Sequence, residues 1–360
     1  MPGLSRYTIV AQDAAEVGPD QAFSTSLMSD VPIIVERAMY WPGGGHDTIG
    51  VTEPAFSWYL AEGYTAAGFG TYILIQNPTG VPATVEVTYM LQGGGTIART
   101  HVVPASSRYT IVAQDTGEVG PDQAFSTRLE ADAPIIVERA MYWPGGGHGT
   151  IGVTGPYGLW YLAEGYTAAG FGTYILLQNP NAGPATVAVT YMLQGGGTID
   201  RLHVVPGESR YTIVAQDASE VGPDQAFSTR LLSDVPIIVE RAMYFASGGH
   251  DTIGVIEPAY RWYLAEGYTA AGFGTYILVQ NPYPQAATVN VTYMLQGGGT
   301  IARTHVVPGR SRYTIVAQDE AEVGPDQAFS TFLDSNAPII VERAMYWADG
   351  GHDTIGISAP

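Results

Sequence analysis

The stretch Pro32-Ile-Ile-Val-Glu-Arg-Ala-Met-Tyr-Trp-Pro-Gly-Gly-Gly-His-Asp-Thr-Ile-Gly50 returns nearly unchanged from Pro134, Pro236 and Pro338, each time 102 residues further on. Read physically, it is an apolar strand, a glycine turn and a second strand. β-Branched and aromatic residues dominate residues 33–41, which suits a pleated, buried surface. Two other blocks keep the same period. Ser5-Arg-Tyr-Thr-Ile-Val-Ala-Gln-Asp13 recurs at Ser107, Ser209 and Ser311, and Trp58-Tyr-Leu-Ala-Glu-Gly-Tyr64 recurs at Trp160 and Trp262. A repeat this regular is the unit of the fold.

Each period contains two related halves. Aligned without gaps, the segments from Pro32 to Pro54 and from Pro82 to Pro104 share both prolines, the Val-Glu pair and the triple glycine, seven matches in 23 positions. The delimiting prolines stand at 2, 54, 104, 156, 206, 258, 308 and 360. Seven half-units therefore fill the chain, approximately 2–54, 55–104, 105–156, 157–206, 207–258, 259–308 and 309–360. The first type reads as strands over residues 6–12, 22–29, 33–41 and 48–52. The second reads as strands over 58–62, 70–77, 83–91 and 96–103. Gly18-Pro19, Asp30-Val31-Pro32, Asn77-Pro78 and Gln92-Gly-Gly-Gly95 supply the turns between them. No stretch of ten residues carries a helical period.

An all-β fold follows, and two architectures compete for it. A seven-bladed β-propeller of four-stranded antiparallel blades, with two blade types alternating, uses every half-unit and closes on itself as a monomer. A string of immunoglobulin-like sandwiches of about 102 residues leaves one half over, and orphan halves of two chains would then pair as a dimer. The odd count and the two-sided apolar pattern of Thr71-Tyr-Ile-Leu-Ile-Gln76 favour the propeller.

Composition narrows function mainly by exclusion. The chain of 360 residues has a formal charge of −19, with arginine its only basic residue besides histidine. A nucleic-acid or anionic-membrane partner is therefore not expected. Cysteine is absent, which removes disulfides and thiolate metal sites. No apolar run approaches the roughly 18 residues of a membrane span, and Met1 enters the repeat at once, without the pattern of a signal peptide.

Four groups of residues are candidates for chemistry. The Gly-His-Asp turn offers His46-Asp47, His250-Asp251 and His352-Asp353, whereas the second copy has His148 followed by glycine. No serine, cysteine or threonine motif accompanies these pairs as a nucleophile, so they read first as turn residues and second as a ligand rim. The aromatics beside the turns, Trp41, Trp143, Trp347, Tyr64, Tyr166 and Tyr268, suit packing or stacking on sugar rings; the third copy has Phe245 in place of tryptophan. Asp13, Glu16 and Asp20 recur with the period and form a weak calcium candidate, because the spacing matches no established calcium loop. Glu36-Arg37 and its copies sit in an apolar strand, where adjacent side chains face opposite ways. Each therefore needs a partner elsewhere, such as Glu86, Arg6 or the neighbouring half.

The motifs Trp58-Tyr-Leu-Ala-Glu-Gly, Ser107-Arg-Tyr-Thr110, Ala124-Phe-Ser-Thr127, Glu138-Arg-Ala-Met-Tyr142 and Gly147-His148 resemble a tandem repeat of bacterial secreted and cell-surface proteins. The likeness spans essentially the whole chain. It implies an extracellular parent protein and a non-catalytic surface or adhesive module, and it brings no catalytic residue, cofactor or ligand with it. The expected function is a binding scaffold for a protein or glycan at its loop faces, with a multivalent carbohydrate-binding module as the alternative.

Overall fold

The computed structural model describes residues 3–359, so the outermost prolines of the spacing lie outside it. Among the described residues the secondary structure is all β, and no helix is long and apolar enough to cross a membrane. Residues 3–35 contain no extended strand. The first strands are β1 (Glu36–Trp41) and β2 (Gly44–Ile49), a two-stranded hairpin. A complete unit then follows. It consists of β3 (Ala55–Leu60), β4 (Gly70–Asn77), β5 (Ala83–Leu91), β6 (Thr96–Val103), β7 (Ser107–Val112), β8 (Phe125–Trp143) and β9 (Gly146–Ile151). The same seven strands recur from Tyr157 to Ile253 and from Ala259 to Ile355. A last short strand, Ile357–Ala359, pairs with Ala259–Leu264.

Strand β8 decides the architecture. Its first part, up to Ala131, lies between β5 and β3, and its second part, from Ile136, lies between β4 and β9. With β6 beside β5 and β7 beside β4, each unit holds two curled antiparallel sheets, β6-β5-β8-β3 and β7-β4-β8-β9. Pro134 stands where the strand passes from one sheet to the other, at a place where no ladder hydrogen bond needs its missing N–H. Phe125, Leu129, Ile135 and Val137 face the core from β8, together with Trp58, Ile73, Ile75, Val85, Val87 and Ile111. Trp58 lies fully inside and donates its indole N–H to the Ile135 carbonyl at 2.8 Å.

The pairing corrects the expected half-units. Sheets of four strands are found, with a fifth strand where Ile357–Ala359 joins, but each shares its long strand with a second sheet and the strands are not consecutive meanders, so seven propeller blades are not the units that pair. One sheet takes β8 from the first half-type and the other takes β4 from the second, so the two halves interlock. The unit length of 102 residues agrees with the sandwich alternative, but the units do not form a string. Strand β2 packs against β9, β9 against Gly248–Ile253, that strand against Gly350–Ile355, and the last against β2 again. Four Gly-Gly-His strands thus surround one axis, three from complete units and one from the partial unit of residues 3–50.

Candidate functional site

Glycine brings the four hub strands together. A Cβ at Gly147 would lie 3.0 Å from the ring of Trp41, and one at Gly45 would lie 2.9 Å from Trp347. Trp143 covers Gly249 and Phe245 covers Gly351 in the same way, so each unit's aromatic closes on the next unit's glycine around the ring. The indole of the first-type half is thus a joint between units, and phenylalanine at 245 fills the same place.

The Glu-Arg pair makes the second set of joints. Arg37 reaches Glu138, Arg139 reaches Glu240, Arg241 reaches Glu342, and Arg343 returns to Glu36, each at 2.5 Å. The partner of each pair is therefore the same pair one unit away, and neither Glu86 nor Arg6 serves. Arg139, Arg241 and Arg343 are about 1% exposed, whereas Arg37 is 40% exposed. The difference has a local cause. Arg139 also donates to Asp251 at 2.7 Å and to the Glu62 backbone carbonyl at 3.0 Å. Arg241 does the same with Asp353 and Glu164, and Arg343 with Asp47 and Glu266. For Arg37 the corresponding aspartate is Gly149, and the partial unit contributes no counterpart of Glu62.

Four histidines, His46, His148, His250 and His352, lie in the same layer and are buried. His46 meets the hydroxyl of Tyr142 at 3.1 Å, His148 that of Tyr244 at 3.2 Å, His250 that of Tyr346 at 2.9 Å and His352 that of Tyr40 at 2.9 Å. The Tyr244 hydroxyl donates in addition to Glu62 at 3.1 Å. Burial holds the imidazoles low, at about 3 for His46 and His250 and about 4 for His148, so they are neutral at neutral pH. A Tyr244→Phe variant leaves Glu62 short of a donor in a dry site, and an expected loss of about 1–3 kcal/mol follows. Tyr142→Phe removes only the contact with His46 and is expected to cost less than about half as much; thermal melting of the two variants side by side measures the contrast.

Glu62, His148 and Asp251 each bring one donor atom within 4.8 Å of the others, as do Glu164, His250 and Asp353, and Glu266, His352 and Asp47. These residue types suit a divalent metal, but Arg139 Nη2, 2.7 Å from Asp251 and 3.6 Å from Glu62, already stands there as a cation. Charge is balanced by a proton. Glu62, Glu240 and Asp251 face two guanidiniums, those of Arg139 and Arg210, which leaves one negative charge in excess. Burial raises the Asp251 carboxyl well above its ordinary range, and it hydrogen-bonds Glu62. Burial pushes Glu62 up as well, but the surrounding positive groups and the bond from Asp251 outweigh it and bring the carboxyl to about 2. Of the two, Asp251 is thus the stronger holder of a proton and Glu62 the acceptor beside it.

The sequence-derived candidates divide into three groups. His46, Asp47, His148, His250, Asp251, His352 and Asp353 are brought together at the hub and withdrawn from solvent. Trp41, Trp143, Trp347, Tyr64, Tyr166 and Tyr268 are half-buried toward one rim. There Phe69 stacks on Trp143 with centroids 4.9 Å apart, beside Tyr64, and lines an open recess of about 410 Å³ with Tyr72, Gln114 and Tyr142. Asp13, Glu16 and Asp20 remain exposed in the partial unit, but in the first complete unit the matching Glu118 accepts from Tyr89 at 2.8 Å and lies 3.3 Å from His101. Glu62, Glu164 and Glu266 are the site residues that sequence reasoning passed over. Their signal was a carboxylate inside the otherwise apolar Trp-Tyr-Leu-Ala-Glu-Gly block.

No protein-family model matches the chain, and no curated protein matches it. Among solved structures, "Crystal Structure of Thermotoga maritima 1070" is similar over 28% of this chain and 94% of its own, with 14% identity and a TM-score of 0.26. The Anabaena sensory rhodopsin transducer is similar over 25% of this chain and 91% of its own, with 21% identity and a TM-score of 0.22. The viral chemokine binding protein R17 of a rodent gammaherpesvirus covers 87% of this chain and 88% of its own, with 9% identity and a TM-score of 0.20. Likeness at these scores defines neither a shared fold nor a shared activity.

Proposed function

We propose that this chain is a non-catalytic scaffold of an extracellular or cell-surface protein, whose repeats close on one another and present loop faces to a protein or glycan. One observation supports it above the rest: the hub histidines and aspartates and the glutamates of the Glu-Arg pairs are taken up in joints between units. Catalysis calls for titratable groups that meet a substrate, and these meet each other. The closure that the propeller reading sought is supplied here by the hub.

The carbohydrate-binding reading draws on a different feature, the aromatic recess at the rim. It recurs at Phe171, Tyr174, Tyr244 and Phe245, and repeated weak sites on one body gain from avidity. A glycan array and a panel of ester, peptide and glycoside substrates test both readings together. The scaffold reading expects no turnover. A glycan hit lost in Trp143→Ala would select the lectin reading, and turnover abolished by His250→Ala would overturn the proposal.

A further inference from the structure

The partial unit leaves an apolar face uncovered. In a complete unit, β7 pairs with β4, and the first part of β8 lies between β3 and β5. The matching residues 5–10 and 23–31 carry the same sequence pattern but have no β3, β4 or β5 beside them and form no extended strand. Their apolar side chains are correspondingly bare. Ile9 is 53% exposed where Ile111 is 2%, Phe23 is 39% where Phe125 is 0%, and Leu27 is 46% where Leu129 is 0%. Only the β1–β2 hairpin is formed, because both its strands come from the same half.

We infer that this face binds a second-type half-unit of the same repeat, a polypeptide patterned like residues 55–103. Apolar matching is one argument and charge is another. A second-type half brings a glutamate at the place of Glu62, and Arg37 and Tyr142 are the guanidinium and hydroxyl that lack it. It also brings a backbone N–H like that of Ala61, which donates to Glu240 at 2.6 Å, and Glu138 is the carboxylate without that donor. A glutamine like Gln92, which accepts from Arg210 at 3.0 Å, would fall beside Arg108. The three complete units show the interface already made, strand by strand. The inference is independent of what the loop faces recognise.

The test adds a copy of residues 53–104 ahead of Gly3 and follows amide hydrogen exchange. Amides of residues 5–10 and 23–35 are expected to slow at least about a hundredfold, toward those of 107–112 and 125–137. Exchange there that stays fast while the added copy exchanges as unfolded chain would overturn the proposal. The unextended chain gives a second measurement. Replacing Ile9, Phe23 and Leu27 together by serine is expected to leave its urea midpoint in place, whereas Phe125→Ser lowers it. A comparable fall in the triple variant, with a dimer in sedimentation, would show the face already covered by a second copy and would equally overturn it.

Discussion

The Arg241→Met variant is expected to lose about 3–5 kcal/mol of unfolding free energy, while Arg37→Met loses about 1 kcal/mol or less. Both arginines occupy the same place in the repeat, so propensity and strand position cancel in the comparison. What differs is burial and company. Arg241 is the cation for Glu342 and donates to Asp353 and to the Glu164 carbonyl, all withdrawn from water. Methionine would fill the volume but would leave the Glu342 carboxylate unpaired, and Asp353 and the Glu164 carbonyl without their donor, in a medium that solvates them poorly. Arg37 answers Glu138 alone, in partial contact with solvent that screens the pair and rehydrates what is left. Urea unfolding followed by tryptophan fluorescence measures both. Adding Glu342→Gln to Arg241→Met should recover part of the loss, since a neutral amide needs no cation. Equal costs at the two positions would mean that the closed charge ring contributes nothing beyond packing.

The sequence made the periodicity and most strands legible, because apolar alternation and glycine turns are local signals. Gly70–Asn77, Ala83–Leu91 and Thr96–Val103 fall where the pattern places them. Local pattern could not tell which strands pair. Residues corresponding to 22–29 and 33–41 look like two strands because a proline stands between them, and in the complete units they are one continuous strand of 19 residues. The hub was illegible for a related reason. Glu36 and Arg37 visibly needed partners, but the partners lie one repeat away, a separation set by closure of the ring and not by any neighbouring residue. Gly149 is informative in retrospect: an aspartate there would face Arg37, the one of the four arginines that also lacks a glutamate like Glu62.

The Glu62–Asp251 and Glu164–Asp353 pairs should contribute most to stability near pH 4 and less toward both neutral and strongly acidic conditions, whereas the hub histidines, held low by burial, act the other way and cost stability as pH falls from about 6.5 toward 4. The direction follows from counting protons on the Glu62–Asp251 and Glu164–Asp353 pairs. Unfolded, both carboxyls of a pair ionise around pH 4. Folded, the aspartate is raised well above that range and the glutamate is held at about 2. Above pH 4 the folded pair therefore keeps a proton that the unfolded chain has released, so the aspartate's contribution is lost as pH rises toward its folded value. Below pH 4 the unfolded chain takes up two protons while the folded pair holds one, so the glutamate's contribution is lost as pH falls through about 2. Each proton of difference changes stability by about 1.4 kcal/mol per pH unit. Relief of the overall negative charge acts in the same direction above pH 4 and the hub histidines act in the opposite one between about pH 4 and 6.5; comparison with Asp251→Asn plus Asp353→Asn isolates the pair, since amides abolish its contribution and leave the rest. A stability difference between the unsubstituted chain and this double variant that does not shrink from about pH 4.5 to 7.5 would show that the buried carboxyls are both ionised, and that the arginines alone hold the hub.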